Sequence, residues 1–224
     1  QKNKITVQGL LEKIFQKISK VSNRIIVYGS SRTDTGVHAF GQVAHVDLSL
    51  NLNNQKIKDA LNGNLPWYCG VSEVKKVNLD FNARFNATSR EYIYQCYTGK
   101  SFLFNNQSWI LPRLDIKFLN NLSDCLIGNL DFLSFSKFRK DLKNTKCNIF
   151  SAYWKKDKEM YTFHINANRY LHHMIRYIVG SMIGVYQNRM SRKNFLLLIK
   201  KPRKNVLIFK APPQGLILNK VNYD

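Results

Sequence analysis

Between Ser31 and Ala39 the chain reads Ser-Arg-Thr-Asp-Thr-Gly-Val-His-Ala, which gathers a carboxylate, a guanidinium, hydroxyls and an imidazole within nine residues. A carboxylate held in such a loop can attack an electrophilic carbon or move a proton. The same residues also make an ordinary turn, because Asp34 and Gly36 are turn formers and His38 can simply pack. Arg176 is a second candidate. It falls at the border of an apolar stripe formed by Leu171, Met174, Ile175, Ile178, Val179, Met182 and Ile183, on the side of His172 one turn earlier. An arginine half buried there needs a carboxylate partner unless it snorkels to solvent. His172 and His173 are neighbours, and neighbouring side chains on a helix diverge, so no metal site is expected from the pair. Tyr92 and Tyr94 share one face of an extended run, where their rings serve either as core or as a stacking face for an unpaired base.

These residues need elements to position them. Val7, Leu10, Leu11, Ile14, Phe15 and Ile18 recur at helical spacing behind Thr6, a capping residue, and predict a helix from Val7 to Val21. Extended runs at Arg24–Tyr28 and Gln42–Leu48 flank the Asp34 loop. A short helix near Lys56–Leu61 precedes the breaker cluster Asn62-Gly63-Asn64-Leu65-Pro66, after which Val71–Val77 reads as a strand. Thr88–Thr98, rich in Tyr, Ile and Thr, is a strand by composition and alternation. A helix over Ile116–Ile127, strands at Asn148–Trp154 and Tyr161–Asn166, a long helix over Tyr170–Tyr186, a helix near Asn194–Lys200 and a strand at Gly215–Val221 follow. Gly180 and Gly184, one turn apart, would let a neighbouring backbone approach closely. The pattern is α+β in two units, residues 1–80 with the Asp34 loop and residues 81–224.

The sequence has 224 residues and is 44% hydrophobic, enough for a sizeable core, and it contains no apolar run of membrane-spanning length. A soluble protein is expected. Four cysteines stand singly with no C-x-x-C pair, which argues against zinc fingers and disulfide frameworks and for a reducing, cytoplasmic setting. A net charge of +21 attracts polyanions, nucleic acid first. Abundant Lys, Asn and Ile throughout would produce the same excess by codon supply. Basic residues are nevertheless locally dense at Lys137-Phe138-Arg139-Lys140, Arg189–Lys193 and Lys200–Lys204, with aromatics among or beside them.

Five ordered blocks carry a resemblance. S-R-T-D-T-G-V-H-A with G-Q-V-A-H, then A-L-N-G-N-L-P, F-N-A-R-F-N-A-T-S-R-E-Y-I-Y, R-Y-L-H-H-M-I-R-Y-I-V-G-S-M and A-P-P-Q-G-L-I-L together resemble the TruA-type pseudouridine synthases. The resemblance implies a cofactor-free homodimer that isomerises uridine to pseudouridine at positions 38 to 40 of the tRNA anticodon stem-loop. It implies two ferredoxin/RRM-like units whose mostly antiparallel sheets join across a central basic cleft. By the same matching, Asp34 corresponds to the catalytic aspartate and Arg176 to the arginine that pairs with it. Tyr92 corresponds to the tyrosine that packs on the uracil, and Arg32 to an RNA-contacting arginine, with His38 beside them as a further substrate contact. Relatives usually begin with a strand and a Y-D-G-x-x-Y-x-G-W-Q-like segment, and Gln1 falls where that segment ends. Ser31 stands where relatives commonly have Gly. A noncatalytic RNA-binding module of the same fold is the alternative reading, and attack at the ribose or at the uracil ring is left open.

Overall fold

The structure is a computed structural model that describes residues 5–100, 102–137 and 144–224. The expected basic residues Arg139 and Lys140, with Phe138, lie outside the described residues. By contact density the chain forms two units, the first from residues 1–32 and 43–87, the second from residues 33–42 and 88–224. The ten residues that carry Asp34 therefore pack with the second unit, although both of their covalent neighbours, Arg32 and Val43, belong to the first.

In the first unit, α1 (Val7–Ser19) starts as its sequence dictates: the Thr6 side chain accepts the Gly9 amide proton, which satisfies one of the open donors of the first turn. Its apolar face meets α2 (Asn54–Asn62), capped in the same way by Asn53, and Ile14, Phe15, Val27 and Leu61 close the core. Glu12 is buried on this face. Its carboxylate accepts from Arg24 at 2.8 and 3.0 Å, from Gln8 at 2.9 Å and from the Val27 amide at 3.3 Å, so the charge is fully hydrogen bonded. The strands are shorter than the sequence suggests. β1 (Tyr28–Gly29) pairs antiparallel with β3 (Ala44–His45), between which the chain passes through β2 (His38–Ala39) of the second unit. Val71–Val77 forms no ladder among the described residues: Val71 and Val74 pack on the core, but no strand lies alongside to pair with their backbone.

The second unit is built on one seven-stranded sheet in the order β2, β9, β4, β8, β7, β6, with β5 (Trp109–Ile110) pairing β4. Its spine is β4 (Ala87–Tyr97), antiparallel to β8 (Met160–Ala167), which forms a hairpin with β7 (Lys146–Asp157); β6 (Gly128–Asp131) follows on β7, also antiparallel. β9 (Leu216–Tyr223) runs parallel to β2. The fold is α+β with a mostly antiparallel sheet, as the alternation of residue types indicates. Tyr92, Tyr94 and Cys96 do turn one face of β4 to the interior. α3 (Ile116–Ser123), capped by Asp115, packs on β7 and on α4 (Met174–Tyr186), whose residues Met174 to Val185 are nearly all buried; α5 (Arg192–Lys200) packs on α4. A helix apolar on nearly all sides belongs inside a core. No helix among the described residues is long and apolar enough to cross a membrane.

Candidate active site

The site forms in the second unit around the N-terminal turn of α4. Asp34 sits in a turn closed by the Val37 amide donating to the Asp34 carbonyl at 3.1 Å, with Gly36 at φ +82°, a left-handed conformation that disfavours side chains. Arg176, 7% exposed, donates from Nη1 to Asp34 Oδ2 at 2.8 Å and from Nε to the Ala211 carbonyl at 2.8 Å. The buried arginine thus has the carboxylate partner that its position on the helix requires.

A strap of extended chain, Phe209 to Pro212, fixes that guanidinium. The Ala211 amide donates back to the Arg176 carbonyl at 2.9 Å, so Ala211 grips the arginine by backbone and side chain together. Gly180 and Gly184 make room for it, as their spacing suggests: a methyl on Gly180 would stand 2.7 Å from the Phe209 carbonyl carbon and 2.8 Å from the Ala211 nitrogen. The Tyr94 hydroxyl donates to the Pro212 carbonyl at 2.8 Å, and burial pushes that phenol's pKa far up, so it stays a neutral donor. Pro213 lies 3.2 Å from where a Cβ on Gly36 would be, which carries the strap on to the Asp34 turn. The A-P-P-Q-G block is therefore scaffold for the site, and at Ala211 and Pro212 its hydrogen bonds are made by backbone, which side chains do not advertise.

The two histidines depart from the sequence reading. Residues 170 to 173 are not helical: α4 begins at Met174, after His173 at φ 65°. On a helix the rings would diverge; in this turn they lie 4.0 Å apart and both approach Asp34, His173 Nε2 at 3.1 Å from Oδ2 and His172 Nε2 at 3.4 Å from Oδ1. The turn is held by the His172 carbonyl accepting from the Lys137 amide at 2.9 Å, and by the buried Tyr170 hydroxyl at 3.1 and 3.0 Å from the carbonyls of Arg90 and Ile165. Burial, reinforced by His172, Lys210 and Arg176 and opposed by Asp34, lowers the His173 pKa to about 4. It is neutral at pH 7, and facing a carboxylate its Nε2 carries the proton.

Ligand atoms of Asp34, His172 and His173 lie within 4.8 Å of one another, a spacing that a divalent cation can bridge. Arg176 already holds a positive charge 2.8 Å from Oδ2, so an ion entering here meets a guanidinium on the carboxylate it needs. The donor set suits a carboxylate that is neutralised and oriented by protein groups.

The other residues singled out from the sequence lie as follows. Tyr92 is on β4, 7% exposed, with its ring edge-on to Tyr170 at 5.1 Å, so little of its face is free. His38 is exposed on β2, and its Nε2–H donates to the Asn106 carbonyl at 2.9 Å, since a carbonyl can only accept. Arg32 is exposed and belongs to the first unit. The four cysteines are free thiols.

The family model for tRNA pseudouridine synthase matches residues 1–86 and 123–224, which leaves out the stretch with Tyr92. The chain is 35% identical to the tRNA pseudouridine synthase A of Phytoplasma mali, over 97% of this chain and 89% of that protein. It is 36% identical to the protein of the same name from a Bradyrhizobium species, over 97% and 90%, and 33% identical to that of Listeria welshimeri, over 100% and 92%.

Proposed function

The chain belongs to the tRNA pseudouridine synthase family, and from that premise we propose that Asp34 is the nucleophile with which it isomerises uridine to pseudouridine in the tRNA anticodon stem-loop, at positions 38 to 40. The observation that carries this reading is the ion pair of Asp34 with buried Arg176: a partly exposed carboxylate, 22% by side chain, stands in front of a guanidinium 8% exposed. A charge-assisted bond of this kind fixes the direction of the carboxylate. The reaction breaks the C1'–N1 glycosidic bond and forms C1'–C5. A group that first bonds to carbon and then leaves suits both halves, and a carboxylate does both. The atoms balance without a cofactor: the C5 proton passes to water and N1 gains one.

The target base must leave the helical stack to meet Asp34. Tyr92 packs against the uracil with what remains exposed of its ring, and Arg32 and His38 contact the RNA, as the family blocks imply. The exposed basic run Arg189, Arg192, Lys193, Lys200, Lys201, Arg203 and Lys204 holds phosphates, positioning the stem without reading sequence. From Arg176 to the end of α4 at Tyr186 is about 15 Å at 1.5 Å per residue, so Arg189 stands beyond the end of the helix that is remote from the reacting base. A cytoplasmic homodimer belongs to the same reading and rests on the resemblance alone.

The test uses unmodified tRNA transcripts with tritium at C5 of uridine. The wild-type chain should release label to water, and Asp34→Asn should bind the same RNA and release none. Binding without release by the wild-type chain would make it a noncatalytic RNA-binding module; release by Asp34→Asn would remove the nucleophile from its place.

A further inference from the structure

We propose that His173 is a positioning residue: with Arg176 it occupies Oδ2 of Asp34 and leaves Oδ1 as the oxygen that attacks. The inference rests on the reading of Asp34 as nucleophile. A carboxylate oxygen offers two in-plane lone pairs. On Oδ2 one is engaged by Arg176 Nη1, which donates at 2.8 Å, and His173 Nε2 stands over the same oxygen at 3.1 Å. Oδ1 has only His172 Nε2 at 3.4 Å, beyond the usual N–H···O range. The two rings also differ in freedom: the His173 side chain is 12% exposed and the His172 side chain 42%. The partner on Oδ2 is fixed, and the neighbour of Oδ1 is free to yield to a substrate.

The backbone points the same way. His173 holds φ 65°, a left-handed conformation that side chains rarely adopt, at the N-cap of α4. A residue there normally turns its side chain back to cap the helix, yet His173 makes no such bond and aims its ring at Asp34. Its other ring nitrogen, Nδ1, is buried and finds no hydrogen-bond partner among the described residues. An unfavourable conformation, a forgone cap and an unpaired ring atom go together with one placement, a ring nitrogen fixed 3.1 Å from Oδ2. Because the ring is neutral, it orients the carboxylate without adding a second full positive charge that would blunt its attack.

Four substitutions test this: His173→Ala, His173→Gln, His173→Gly and Asp34→Asn, each assayed by tritium release for kcat and KM and by thermal unfolding. His173→Ala should lower kcat about 10- to 100-fold with KM little changed, the cost of a misdirected group. Gln carries an N–H at similar reach and should restore most of the loss. Gly adopts φ 65° freely, so His173→Gly should be at least as stable as the wild type and as slow as His173→Ala. A structure with an analogue-containing stem-loop should place Oδ1 nearer than Oδ2 to the reacting carbon. Unchanged kcat in His173→Ala, a kcat loss that Gln does not rescue, or Oδ2 nearer the carbon would overturn the inference. Activity in Asp34→Asn would instead remove the premise beneath it, so the two failures are distinguishable.

Discussion

Replacing Gly180 with alanine tests whether the strap at Ala211 keeps Arg176 on target. The new methyl would stand 2.7 Å from the Phe209 carbonyl carbon and 2.8 Å from the Ala211 nitrogen, both backbone atoms that cannot rotate away. Carbon atoms rest at about 3.5 to 4.0 Å, so the strap must retreat by roughly 0.8 Å or more. Ala211 moves with it, and its carbonyl is the acceptor of Arg176 Nε at 2.8 Å. A retreat of that size carries the pair toward about 3.6 Å, where it is no longer a hydrogen bond. Overpacking should cost about 1 to 3 kcal/mol of stability, read by urea unfolding. Misdirection of the guanidinium should lower kcat about 10- to 100-fold with KM nearly unchanged, read by tritium release from tRNA transcripts. Gly184→Ala is the control, since the atoms its methyl meets first belong to the Phe209 ring, a side chain that can turn aside. It should lose stability and keep its turnover. If Gly180→Ala is destabilised yet turns over like the wild type, the strap does not position Arg176.

Glu12 should make the first unit sensitive to acid. Burial acts to raise its pKa, but hydrogen bonds from Gln8, Arg24 and the Val27 amide outweigh it and hold the carboxyl below its ordinary value. A depressed folded-state pKa gives stability that is present above the unfolded value and lost as pH falls through the folded one. Unfolding followed from neutral to acid pH should therefore show a loss of stability below the usual carboxylate range that Glu12→Gln reduces; an identical pH profile in the variant would rule Glu12 out as its source. Chelation should leave turnover unchanged, because Arg176 and His173 already serve the carboxylate that a metal would need. Loss of turnover with EDTA, restored by Zn²⁺, would place an ion among Asp34, His172 and His173.

What could be read from the residues was what local periodicity and local caps encode. Thr6 starts its helix by accepting an amide proton of the first turn, and the alternation along β4 buries Tyr94 and Cys96. Arg176 was visible for a similar reason, as a charge on an otherwise apolar helix that must find a partner. The features that escaped are those set by distant chain. Val71–Val77 has strand composition, but a ladder needs a neighbour that composition does not supply. The helix through Tyr170 to His173 failed because His173 adopts a left-handed turn, and nothing in a histidine announces one. Ala211 carries no functional group at all, and its part in the site is played by its N–H and C=O. Five motif blocks identified the family where these physical cues stop.

The passage of residues 33–42 out of one unit into the other and back bears on heredity as much as on chemistry. A gene fragment ending near residue 87 would encode Asp34 without Arg176 and His173, and the complementary fragment would encode those two without Asp34. Neither half could be copied, fused elsewhere or expressed alone and keep Asp34 with Arg176 and His173. The two units are thus sewn together by two crossings of the chain, at 32–33 and 42–43, and a division near residue 87 parts side chains that meet in the fold.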